Sequence, residues 1–356
     1  MANISLDKAK KAKDNEFYTR YDDIQAELNH YRDQFRNKVV YCNCDDPAES
    51  AFSDFFKLNF DYYGLKKLIC TRYIKSNLFT QAWLDPMHRV GYRIEITGKD
   101  KCEKIDLEEG GDFRSAECIE LLKEADIVCT NPPFSLFRDY IQQLIQYRKK
   151  FLIIGNKNAI TYKEVFPLLA NNEVWLGYTV PNKFIRPDGT ETTNMSGLCR
   201  WWTNLDTAKR HEDMILYENY SPEKFPHYDN YDAIEVNKVK TIPKDYFGIM
   251  GVPITFLDTY NPAQFEILGL ASGREEFDPR SHPTKRYRNA VQHSIKTGKT
   301  ALGSKINTGA EVLFKNIDEF VKYTAGKKDT YYTADDVDGV LYRLYDRILI
   351  KRRENK

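Results

Sequence analysis

DIVCTNPPFSLFRDYIQQLIQYRKKFLIIG, residues 126–155, reads as strand, turn, helix and strand, and this reading decides the fold. DIVCT and FLIIG are short apolar runs rich in β-formers. Between them Leu136, Tyr140, Ile141, Leu144 and Ile145 recur at the spacing of one helix face, with Ser135 as the candidate cap. Two strands joined by such a helix lie parallel in one sheet. Asn131-Pro132-Pro133-Phe134 fills the turn. A residue before proline is pushed out of the helical region, and Pro132 and Pro133 have no N–H to donate. The first strand therefore ends in a stiff, extended exit with unengaged carbonyls.

Working outward, the alternation continues. Ile24, Leu28, Tyr31 and Phe35 mark an amphipathic helix before the first strand, KVVYCNC (38–44). That strand stops at Asp45-Asp46-Pro47, and the helical pattern AESAFSDFFKL follows. LKKLICT (65–71) is a strand, YRIEIT (92–97) is less defined, and helices fall near 115–124 and over 162–171. EVWLGYT (173–179) and LCRWWTN (198–204) have no helix between them and are expected to pair antiparallel at one sheet edge. The pattern predicts an α/β fold with a seven-stranded, mostly parallel sheet and helices on both faces. Trp201 and Trp202 point to opposite faces of a strand, so one of them is core. The connection 181–197 is either a cover for substrate or a plain hairpin link.

Beyond residue 215 helical periodicity fades, and strand-like pieces such as YFGIMGVPITFLD and LYRLYDRILIKRR stand among Tyr-, Pro-, Gly- and Asn-rich loops. The expected organisation is a mobile, lysine-rich tail over 1–15, one domain over 16–215 and a second region over 216–356, whose last strand is a candidate to return to the core.

The chain has 356 residues, with 53 Lys and Arg against 52 Asp and Glu. A nearly neutral total argues against a uniformly basic coat and leaves room for a local basic face. Its 7 cysteines lack paired or zinc-finger spacing, which reads as reduced thiols and no metal. No leader and no stretch of about 18 apolar residues is present, so a cytoplasmic protein with no membrane partner is expected.

The turn at Asn131 carries chemistry. The exocyclic amine of an aromatic base is a poor nucleophile because its lone pair is delocalised into the ring. Two acceptors pulling on its two hydrogens favour a pyramidal, nucleophilic nitrogen, and Asn131 Oδ1 with the Pro132 carbonyl form such a pair. Phe134 adds a flat face for stacking an extruded base, worth about 1 to 3 kcal/mol. An isolated Asn-Pro-Pro is also an ordinary turn. Its place after a buried strand and before a helix favours function.

TNPPF resembles the fourth motif of amino-methyltransferases. DNEFYTRYDDI (14–24), YCNCDDPAESAFSDFF (41–56), GDFRSAE (111–117), IIGNKNAITYKE (153–164), RWWTNLD (200–206) and GVPITFLDTYNPAQFEILG (251–269) resemble the EcoRI-type adenine-N6 DNA methyltransferases. The resemblance implies a class I S-adenosylmethionine-dependent, Rossmann-like fold with a C-terminal target-recognition region. It implies methyl transfer from S-adenosyl-L-methionine to an adenine flipped out of double-stranded DNA. The setting implied is restriction-modification or protection of a mobile element, where an endonuclease of the same site acts without a stable complex. Methyltransferases of RNA amines or of protein glutamine share the motif and are the rival class; a non-catalytic DNA-binding module is the other.

Catalytic roles then fall on Asn131, Pro132, Pro133 and Phe134. The family pattern assigns Phe17, Tyr18 and Thr19 to the cofactor's amino-acid end, and Asp112 and Phe113 to its adenine. Asp45, Asp46 and Pro47 stand where most of the superfamily has a glycine-rich loop; the two carboxylates either bind the cofactor's amino group or ribose or cap the following helix. The acidic residue that ordinarily ends the second strand is missing, since LICT ends in Thr71.

From Pro279 to Lys305 the charged residues are all basic. Arg280, Lys285, Arg286, Arg288, Lys296, Lys299 and Lys305 are the candidates for phosphate, and His282, Asn289, Gln292 and His293 for base edges. Asn156, Lys157 and Asn158 follow the next parallel strand on the same rim as Asn131 and are candidates for the flipped nucleotide.

Overall fold

The computed structural model describes residues 18–73, 91–98, 101–182, 184–185, 190–192, 197–273 and 278–354. The expected tail over 1–15 and Phe17 lie outside them. The chain divides into two compact units: residues 1–165 with 173–207, and residues 166–172 with 208–356.

The first unit is built on eight strands. They are β2 (Val39–Cys42), β3 (Lys67–Arg72), β4 (Tyr92–Gly98), β5 (Lys101–Asp106), β6 (Ile127–Thr130), β7 (Lys150–Asn156), β8 (Trp175–Leu176) and β11 (Cys199–Thr203). A small separate ribbon joins β1 (Tyr18–Thr19), β9 (Phe184–Ile185) and β10 (Glu191–Thr192). The large sheet runs β5-β4-β3-β2-β6-β7-β11-β8. Its central ladder β3-β2-β6-β7 is parallel, and antiparallel strands close both edges. The parallel strands are near-continuous apolar runs, with all four residues of β2 and of β6 buried, as a sheet covered on both faces requires.

Seven strands were expected and eight are present. The undefined region around YRIEIT is a hairpin, β4 with β5. β5 is almost wholly solvent-exposed, so it carries no apolar alternation by which to recognise it.

Helices α1 (Tyr21–Leu28), α2 (Ala51–Leu58), α3 (Ala116–Glu124) and α4 (Phe137–Gln146) surround the sheet. Ile24, Leu28, Tyr31 and Phe35 are all buried as the spacing predicts, although the second half of that segment tightens into a 3₁₀ turn. α2 is capped by Ser50, which accepts from the Phe52 N–H; α3 is capped by Ser115. Ser135 does not cap α4: it sits inside a 3₁₀ turn, Phe134–Leu136, ahead of the helix. The helix expected over 162–171 shortens to α5 (Phe166–Ala170), which belongs to the second unit.

Both Trp201 and Trp202 are fully buried, so neither is available to stack on a base. Trp201 meets Phe52 edge-on at 5.9 Å on one face of the sheet, and Trp202 meets Phe137 at 5.4 Å on the other. A Cβ on Gly155 would come within 2.2 Å of the Phe137 ring. Gly155→Ala is expected to overpack this contact and cost about 1 to 3 kcal/mol, read as a lowered urea midpoint at unchanged m-value.

The second unit holds two sheets. One orders β12 (Ile234–Glu235), β13 (Met250–Pro253), β20 (Arg347–Arg352) and β14 (Phe265–Ala271). The other comprises β15 (Val291–Ser294), β16 (Thr300–Leu302), β17 (Glu311–Phe314), β18 (Thr330–Thr333) and β19 (Val340–Arg343), in the order β16-β15-β18-β19-β17. α6 (Ile317–Thr324) inserts Phe320 into the core of this unit. The last strand does not return to the first sheet. β20 is an interior strand of the second unit, between β13 and β14, where Arg347 pairs with the buried Glu235 at 2.8 Å.

Candidate active site

A cavity of about 330 Å³ opens at the carboxyl ends of β2, β3 and β6, where ligands bind in open α/β sheets. Thr19, Asn43, Asp45, Asp46, Arg72, Asp112, Phe113, Asn131, Pro132, Pro133 and Phe134 all reach it.

The two carboxylates at the tip of β2 do different things. Asp45 points inward and is buried. Its carboxylate accepts from the Ser50 hydroxyl at 2.6 Å, from the Thr130 hydroxyl and from the Asn131 backbone N–H. One side chain thus ties the cap of α2 to the strand exit that carries Asn131. Burial pushes its pKa up to about 6 against the pull of these three donors. Asp46 faces the other way: Arg72 Nε donates to it at 3.0 Å, the Ala48 N–H at 2.9 Å and the Tyr92 hydroxyl at 3.4 Å.

Pro47 is buried but does not line the cavity; its carbonyl is taken by Lys57 Nζ and Ser53 Oγ beneath α2. Neither carboxylate supplies the cap of α2, which is Ser50. Asp112 is reached by a tight turn in which Gly110 and Gly111 have φ of 74° and 82°. A Cβ on Gly111 would also lie 2.5 Å from the Arg72 carbonyl. Arg114 holds the Asp112 carboxylate through Nε at 2.9 Å and Nη2 at 2.8 Å, and this ion pair lowers its pKa. Phe113 packs edge-on against Tyr140 at 5.1 Å.

Thr19 Oγ1 and Asn43 Nδ2, both buried on cavity residues, have no hydrogen-bond partner among the described residues. The lining combines Asp46 and Asp112, paired with Arg72 and Arg114, with Glu49, apolar Phe113 and Phe134 and these two open polar groups, which matches a zwitterionic or mixed-charge, partly aromatic ligand.

The family model described as adenine-specific methyltransferase EcoRI matches residues 5–353. The Type II methyltransferase M.EcoRI of Escherichia coli is 48% identical over 302 residues, covering 78% of this chain and 92% of that protein. The Type II methyltransferase M.MgeORF184P of Mycoplasma genitalium is 41% identical over 285 residues, 74% of this chain and 85% of its own. M.MpnI of Mycoplasma pneumoniae is 39% identical over 283 residues, 74% and 84%. The chain belongs to the EcoRI adenine-specific methyltransferase family. It is an adenine-specific DNA methyltransferase. No solved structure matches it.

For this EcoRI-family methyltransferase nine of the 20 residues that line the cavity were candidates from the sequence; Asn43, Ser50, Arg72 and Arg114 are among those it missed. Ser50 and Asn43 flank the Asp45-Asp46 pair, a proximity that could have signalled them. Arg72 carried no local signal. Tyr18 and Thr19 form β1, which pairs with Phe184–Ile185, so the 181–197 connection is hydrogen-bonded to the strand that brings Thr19 to the cavity.

Asn156 ends β7 and Lys157 and Asn158 follow it, with Asn156 Oδ1 accepting from the Asn158 N–H at 2.8 Å. The basic run is less open than its composition suggests. Arg280 is held by Asp278 at 2.7 Å and Glu266 at 3.1 Å, and Lys285 by Asp229 at 2.8 Å. These two, expected on phosphate, each form a surface ion pair with an acidic residue outside the basic run. Asn289 donates to Asp335 at 2.6 Å, and Gln292 accepts from Tyr332 at 3.3 Å. Arg286 donates to the Gly273 carbonyl at 2.8 Å. Arg286, Arg288, Lys296 and Lys299 are exposed. Among the described residues no helix is long and apolar enough to cross a membrane.

Proposed function

We propose that the chain methylates N6 of an adenine swung out of duplex DNA, with Asn131 Oδ1 and the Pro132 carbonyl accepting the two amine hydrogens and Phe134 stacking on the base. The observation that carries this reading is the strand exit at Asn131, held open on the cavity and bonded to Asp45 through its backbone. S-adenosyl-L-methionine supplies a methyl group already activated on a sulfonium. Thr19, Asn43, Asp46, Asp112 and Phe113 would hold it, the carboxylates facing its positive charge and Phe113 its adenine. Asn131 needs no basic pKa, because the amine is to be polarised before attack and not deprotonated. The proton leaves after methylation, when the nitrogen is cationic and strongly acidic, and solvent suffices as acceptor.

The second unit supplies DNA contacts, and a restriction endonuclease of the same site is the partner activity that would give the modification its purpose. The test is transfer of labelled methyl from S-adenosyl-L-methionine to duplex DNA, RNA and protein in parallel. Label confined to N6-methyladenine at one duplex sequence is the expected result. Label in RNA or protein, with none in duplex DNA, refutes it.

A further inference from the structure

The second unit contains an open groove of about 560 Å³ in which Lys305, at the far end of the basic run, meets Lys328 and Tyr345 from outside it. Lys305, Lys328, Tyr345 and Gln292 line it, beside Arg343, whose charge is paired with Asp346 at 3.5 Å. Lys305 and Lys328 are exposed, and Tyr345 keeps 65% of its surface in solvent. The groove's one carboxylate, Asp329, accepts from the Ser294 hydroxyl at 2.8 Å and the Lys296 N–H at 2.7 Å and keeps its charge, so Lys305 and Lys328 outnumber it by one.

We propose that this groove takes the sugar-phosphate backbone of one DNA strand, with Lys305 and Lys328 on phosphates and Tyr345 against a sugar or base. The proposal rests on the reading of the substrate as duplex DNA. Flexible, exposed ammonium groups act as point charges suited to phosphates met at varied angles, and an exposed ring beside them offers a stacking face. The groove is open and not enclosed, as a continuous polymer requires. The groove shifts the phosphate contact away from Arg280 and Lys285, whose charges are already paired.

The experiment is fluorescence anisotropy of the full chain on a labelled duplex between about 50 and 200 mM salt. Each phosphate contact contributes about 0.9 to the slope of log affinity against log salt. Lys305→Gln with Lys328→Gln is expected to flatten that slope by about 1.8, while Arg280→Gln keeps the wild-type slope. Tyr345→Ala should weaken binding at least fivefold with no change in slope. Thermal midpoints within error of wild type for these surface variants exclude misfolding. A wild-type slope in the double variant, or flattening by Arg280→Gln in its place, overturns the groove. Absence of duplex binding by the wild-type chain itself overturns the substrate reading instead.

Discussion

Asn131→Ala is expected to reduce the methyl-transfer step by about 10³-fold, the scale on which removal of one preorganised polar group at a reacting centre acts. The side-chain oxygen is lost, but the backbone N–H that donates to Asp45 remains, so the strand exit should keep its course. Cofactor affinity should therefore change only severalfold, because Thr19, Asn43, Asp46 and Asp112 are untouched. Single-turnover transfer to duplex DNA measures the first quantity and calorimetry the second. A loss of both in proportion would mean that Asn131 serves the cavity as a whole and not the amine. Asn131→Asp is the sharper companion. It retains an acceptor of the same size but adds charge, and activity between the two extremes would separate acceptance from shape.

The parallel half of the fold could be read from the sequence because its strands are buried on both sides and so are nearly pure apolar runs. The edge hairpin could not, since β5 presents Lys101, Glu103 and Lys104 to solvent and resembles a charged loop. The same limit applies to the site. A motif places Asn131 and Asp45 at strand tips, but what an oxygen is bonded to depends on partners far along the chain. Thr130 lies 85 residues from Asp45. Without that pairing the two neighbouring carboxylates look equivalent. With it, one is a brace and the other faces Arg72. The basic run shows the same limit: Lys285 meets an aspartate 56 residues earlier, so a window free of acids is not a surface free of them.

Asp45 should make both activity and stability depend on pH in a way that one substitution removes. Its carboxyl is pushed up to about 6 by burial, above its ordinary 3.8, so the folded protein holds the proton more tightly than the unfolded chain. The sign follows. Below about pH 4 both states are protonated and this group is neutral in effect; between about pH 4 and 6 stability falls; above that the loss is constant at about 3 kcal/mol. The ionised form is nonetheless the one that accepts from Ser50, Thr130 and Asn131 together, so turnover should fall on the acid side with an apparent pKa near 6. Asp45→Asn fixes the site neutral. The variant should lose the acid limb, turn over roughly 10- to 100-fold more slowly at pH 8 because Asn131 is less firmly placed, and show no stability decline from this position between pH 4 and 7. Subtracting the two stability profiles isolates Asp45 from every other carboxyl in the chain. A flat difference together with an unshifted acid limb would mean that the carboxylate does not brace the strand exit, and that Thr130 and the prolines alone hold Asn131 in place.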